Sequence, residues 1–167
     1  FRNEGMDPSH LQEFTMLEFY GSYWNYEDNM NFTEDMLKSV IQEVFGTLKI
    51  EIKDRDGTMV EVDFGQEWPR LDFGELIKKD CGVDIYEYTD DAIGLRSKLK
   101  AEGIQFDDMD LMGYGNLCDY LYKKVSRPKL IQPCFVINHP ASMKPLARRS
   151  DKNPHYCETF QLLVNTW

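Results

Sequence analysis

The sequence has no long apolar run. Nowhere do about 18 consecutive apolar residues occur, which excludes a membrane-spanning helix. Positive charge is also scarce: 19 Lys+Arg stand against 29 Asp+Glu in 167 residues, a net charge of −10. With a pI near 4.7, the surface as a whole repels polyphosphate, so a broad nucleic-acid platform is excluded. Local basic spots remain, chiefly Lys144 with Arg148 and Arg149. The four cysteines, Cys81, Cys118, Cys134 and Cys157, are far apart, with no CxxC pair and no Cys/His spacing of a zinc site. That predicts free thiols in a reducing compartment rather than a disulfide frame or a metal centre. Internal repeats, low-complexity tracts and Ser/Pro linkers are missing as well. Residues 1–167 therefore read as one domain, or part of one, without an internal boundary. The chain opens at Phe1, with neither an initiator Met nor a signal-type segment, and reads as an excerpt of a longer cytoplasmic protein.

What is present suffices for a core: 42% of residues are apolar and 13% aromatic. Residues 13–24 alternate loosely, with Phe14, Met16, Glu18 and Tyr20 on one side of a predicted strand and Leu17 and Phe19 on the other. Asp28 to Phe45 predicts a helix capped by Thr33, with Leu37, Val40, Ile41, Val44 and Phe45 as its apolar stripe. A hairpin follows: Leu48, Ile50 and Ile52 alternate, Asp56-Gly57 turns the chain, and Val60, Val62 and Phe64 alternate back. Further helices are expected at about 72–80, 90–101 and 115–126, starting at Asp72, Asp90 and Gly115-Asn116. Strands are expected at 131–137 and 160–167. Strands and helices mix without regular βαβ alternation, which points to an α+β fold with an antiparallel sheet and flanking helices.

The first 20 residues carry the chemistry. They read as a strand near Phe1–Glu4, a polar loop over 5–12 and a returning strand over Glu13–Tyr20. Side chains two apart in a strand share a face, so Arg2 goes with Glu4, and Phe14 with Glu18 and Tyr20. Such a hairpin would present a guanidinium, two carboxylates, a flat ring and a phenol on one surface. Taken singly, each piece has an ordinary reading: Arg2 and Glu4 as a surface ion pair, Phe14 as core, His10 as a solvated loop residue, Glu18 as a plain strand carboxylate.

Taken in order, FRNEG…H..EFT..E.Y resembles motif 2 of the class II aminoacyl-tRNA synthetases, in the form of the lysyl branch. LIQPCFVINHPASMKPLARR, then NP, then ETFQLLVN, resembles that branch's later strand, substrate-side loop and next strand. Residues 46–128 match mainly in order of elements and in DFG (63–65) and LIKK (76–79). The resemblance implies ATP-dependent activation of lysine and its transfer to tRNA. It implies a homodimer and magnesium, with the metal ligands mostly outside these residues. It implies Arg2 on the α-phosphate and substrate carboxylate, Glu4 near the adenine amino group, His10 near the γ-phosphate and Phe14 stacked on adenine. Glu18 and Tyr20 would read the lysine ammonium, a compact cation that wants oxygen acceptors. Two departures stand out. Leu11-Gln12 replaces the family's Asn-Pro after the loop histidine, and Gln161 falls where an acidic metal ligand is common. The motif 3 arginine and the dimer-forming motif 1 are expected outside residues 1–167, so this stretch alone is expected not to turn over. Two other readings stay open: a paralogue that passes a lysine-like acid to a protein, and a non-catalytic nucleotide- or partner-binding module.

Overall fold

The computed structural model describes residues 5–6, 10–54 and 56–166. Its elements run α1 (Tyr26–Phe45), β1 (Lys49–Lys53), β2 (Met59–Asp63), β3 (Arg70–Asp72), α2 (Phe73–Cys81), α3 (Ala92–Ala101), α4 (Tyr114–Val125), β4 (Cys134–Ile137) and β5 (Phe160–Leu163). The mixture of helices and mainly antiparallel strands agrees with the α+β expectation. β1 and β2 form the expected hairpin, with Ile50 opposite Val62. Its turn is held by Asp54 N–H donating to Thr58 O at 2.8 Å, and Gly57 supplies the left-handed residue at φ 90°.

The second sheet has the order β3–β4–β5. β4 pairs antiparallel with β5 and parallel with β3. β3 is the strand that periodicity missed, because three residues after Pro69 are too short to alternate visibly. β4 is shorter than the expected 131–137 for a local reason. The Gln132 side chain is engaged by the hairpin, accepting from Asp63 N–H and donating to Glu61 O, both at 2.9 Å. Pro133 has no N–H to give to a ladder.

Alternation along β4 and β5 divides the core in two. Cys134, Val136 and Leu163 face α2, α3 and α4, where Phe73, Ile77, Leu95, Leu99, Leu117 and Leu121 are fully enclosed. Phe135 faces the other way, onto Trp68, Phe64, Val62 and Met30.

α1 is capped at Asn25, eight residues before the expected Thr33. Asn25 and Asp28 form a reciprocal capping box, in which the Asn25 side chain accepts from Glu27 and Asp28 N–H. Thr33 lies inside the helix, its hydroxyl donating to Asn29 O at 2.7 Å. α1 is tied to β3 by a buried carboxylate, Glu34, which accepts from Lys38 Nζ (2.7 Å), Arg70 Nη1 (2.8 Å) and Trp68 N–H (3.1 Å). Burial pushes its pKa up, but these three donors outweigh burial and hold it below the ordinary value.

The remaining helix starts differ by a residue or two from the sequence reading. Asp72 caps α2 as expected, Asp91 rather than Asp90 caps α3, and Gly113 precedes α4. β5 ends at Leu163.

Candidate functional site

Of the six residues singled out in the first 20, Arg2 and Glu4 lie outside the described residues, as does the strand expected at Phe1–Glu4. The returning strand expected over Glu13–Tyr20 is not formed: residues 14–20 carry no strand pairing. A strand needs a hydrogen-bonded neighbour and a face to bury, and the described residues supply neither. Both sides of the alternation stay in solvent. Phe14 is 61% exposed and Tyr20 96%, and Glu18, Met16 and Leu17 are also exposed. The segment touches the fold at its end, where the Phe19 ring meets Phe32 edge-on at 5.0 Å. Gly21 is required just beyond, since a Cβ there would lie 2.2 Å from the Trp24 ring. Among the described residues no hydrogen bond, ion pair or ring contact joins Phe14, Glu18 and Tyr20 to one another. The structure therefore leaves them accessible but does not assemble them into a pocket. His10 sits in an isolated bridge and is exposed.

The later motif is assembled more fully. Asn138 ends β4 in the left-handed region, at φ 57°. Its side-chain amide donates to Asp72 Oδ2 at 2.7 Å, and its carbonyl accepts from the Tyr86 hydroxyl at 2.6 Å. This brace starts the segment 139–157, which closes on itself through Ala141 N–H to His155 O (2.9 Å), Cys157 N–H to His139 O (3.0 Å) and Ser150 N–H to Tyr156 O (3.0 Å). The sequence reading missed the brace. Its signal was an Asn between an apolar strand and a His-Pro pair, since Asn tolerates the left-handed turn.

His139 is 1% exposed and lies against Phe73, with ring centroids 5.1 Å apart. Among the described residues neither imidazole nitrogen makes a hydrogen bond of good geometry, Gln161 being the side chain that interacts with the ring. Burial, with Lys144 adding to it, pushes its pKa down to about 4, while Gln161, Asp119 and Asp72 pull weakly the other way. Gln161 is on β5 opposite Val136.

The basic spot is partly neutralised. Arg148 pairs with Asp151 and, at 3.9 Å, with Glu158, while Arg149 donates to Pro154 O at 3.2 Å. All four cysteines are free, and three of them are buried. Burial pushes the Cys118 thiol up to about 12 and the Cys134 thiol to about 11, so neither is a nucleophile at neutral pH. Among the described residues no group of three or more His, Cys, Asp or Glu side chains is placed to hold a metal ion. No described helix is long and apolar enough to cross a membrane.

The chain is similar to lysine–tRNA ligases. That of Aquifex aeolicus is 37% identical over 164 residues, covering 98% of this chain and 26% of the relative. That of Staphylococcus haemolyticus is 34% identical over 164 residues, 98% of this chain and 32% of the relative. That of Pelotomaculum thermopropionicum is 37% identical over 165 residues, 98% and 31%. The chain thus spans about a quarter to a third of the length of these relatives. The family model for class II tRNA synthetases (D, K and N) matches residues 1–167, and the chain belongs to that family.

Proposed function

We propose that residues 1–167 are one piece of the catalytic domain of a cytoplasmic, homodimeric lysine–tRNA ligase, which joins lysine to ATP and passes the lysyl group to tRNA. The observation that carries this reading is the family match across the whole chain, which includes the segment Phe1–Tyr20 with its Arg2, Glu4, His10, Phe14, Glu18 and Tyr20 in the expected order.

In the first step a lysine carboxylate oxygen attacks the α-phosphorus of ATP and pyrophosphate leaves. No proton has to move at the reacting centre, so the protein's task is positioning and charge neutralisation. Arg2 would fork onto the α-phosphate and carboxylate oxygens, with His10 near the γ-phosphate. Glu4 would accept from the adenine amino group while Phe14 stacks on the base. The exposure of Phe14 supports that use, because its ring faces are not taken up by a core. Glu18 and Tyr20 would supply acceptors for the lysine ammonium, and both are open to solvent. The described residues offer magnesium no ligand cluster, and Gln161 is a neutral amide, a weak partner for that ion.

The test is Arg2→Ala in the full-length enzyme. Lysine-dependent ATP–pyrophosphate exchange should fall by about two orders of magnitude or more, the scale for losing one preorganised charged donor. A loss below about threefold would remove Arg2 from the reacting centre.

A further inference from the structure

Tyr86 reaches both ends of the segment 139–157. It sits in a short helical turn, Ile85–Tyr88, where its N–H donates to the capping Asp84 side chain at 3.1 Å. At the entry to the segment its hydroxyl donates to Asn138 O at 2.6 Å. At the exit its ring lies 6.2 Å from the Tyr156 ring, centroid to centroid. Burial pushes the phenol pKa up, so the hydroxyl keeps its proton and remains a donor near neutral pH. α2 leaves room for the ring, since a Cβ at Gly74 would lie 2.3 Å from it. Asp72 completes the entry side, accepting from the Asn138 amide with one oxygen and from Glu75 N–H with the other.

The segment held in this way is positively charged. Lys144, Arg148, Arg149 and Lys152 stand in it against one carboxylate, Asp151, in a chain whose net charge is −10. Its exit lies beside the start of α1. Burial raises the Tyr26 pKa, and Glu27, Glu158 and Tyr156 add to that through space. Tyr26 is two residues past Trp24. The basic segment thus ends where the stretch carrying His10, Phe14, Glu18 and Tyr20 joins the fold.

We propose that Tyr86 is a positioning residue, which clasps the segment 139–157 at both ends and so fixes its positive charge beside the residues proposed to take ATP. The inference rests on the lysine-activating reading of residues 1–20. A triphosphate approaching a negatively charged surface needs local cations in fixed places, because attraction between exposed charges fades within about 10 Å at ordinary ionic strength. A segment released at one end keeps its cations but spreads them over many positions. That weakens ATP binding more than it slows the chemical step. Lysine, whose own net charge is positive, gains nothing from these cations.

Tyr86→Phe in the full-length protein removes the hydroxyl and keeps the ring. Hydrogen–deuterium exchange should quicken about three- to tenfold at the amides of Ala141, Ser150 and Cys157, which close the segment, the scale of one hydrogen bond. In lysine-dependent ATP–pyrophosphate exchange the KM for ATP should rise by a similar factor, while kcat and the KM for lysine stay within about twofold. Gly74→Ala, which pushes the ring aside and leaves the hydroxyl intact, should give the same split. Unchanged amide exchange in both variants overturns the clasp. Faster amide exchange with an unchanged KM for ATP, or with both KM values raised alike, overturns the positioning role. No pyrophosphate exchange by the unaltered protein instead fails the lysine-activating reading, and with it the role assigned to Tyr86.

Discussion

The two faces of the β3–β4–β5 sheet are finished to different degrees. On the side of α2, α3 and α4, side chains such as Phe73, Leu95, Leu117 and Leu121 have no exposed surface. On the other side α1 is pinned near its start by Met30 and Glu34, but its C-terminal half overhangs. Val40, Val44 and Phe45 remain 50%, 66% and 61% exposed. The helical side closes because three short helices share one set of apolar contacts. α1 is 20 residues long, and Leu37 and Ile41 still pack on the core beneath it while the apolar residues around and beyond them stay exposed. An amphipathic stripe thus reports that a helix has an apolar face; it says nothing of what covers that face.

The comparison breaks first at Phe73. Phe73→Ala, which empties a site between Tyr122 and His139, should cost about 3–5 kcal/mol in chemical denaturation. A loss under about 1 kcal/mol would mean that the helical side is loosely packed.

A second effect on the same side depends on pH. His139 is neutral when folded and ionises near its ordinary value when unfolded, so the unfolded chain binds the extra proton as pH falls below 6.5. Its contribution is complete above that value. It shrinks as pH drops and levels off near the folded pKa of about 4, a loss of about 3 kcal/mol over the interval. Denaturation midpoints measured between these limits should show the slope, and His139→Leu should flatten it.

The smallest effect belongs to the overhanging helix. Val44→Ala should shift stability by no more than about 0.5 kcal/mol, since little apolar area is lost and alanine is the better helix former. A cost several times larger would show that something covers α1 in solution.

Most elements of this fold are legible in the sequence because they are local. The hairpin follows from alternation around Asp56-Gly57, and α2 from Asp72. Local pattern alone does not fix the start of α1, because Thr33 and Asn25 are both acceptable caps and only the reciprocal bond with Asp28 decides between them. The strand over 13–20 was read from alternation alone, and alternation cannot supply the neighbour a strand needs. Nothing local marks Glu34 for burial, which depends on Arg70 and Trp68, more than thirty residues away. The candidate site divides the same way. His10, Phe14, Glu18 and Tyr20 are contiguous enough to be recognised as a motif. The brace at Asn138 draws on Asp72 and Tyr86, distant segments that no spacing rule links to it.

Asn138 carries three requirements at once. Its backbone must be left-handed, its side chain must donate to Asp72, and its carbonyl must lie under the Tyr86 hydroxyl. Glycine meets the first and fails the second. Aspartate tolerates the backbone but would set one carboxylate against another. Serine is too short to span the same gap and resists the conformation. Position 138 therefore has almost no freedom to drift on its own, and any accepted replacement there should arrive together with a change at Asp72 or Tyr86, so that the three vary as a block.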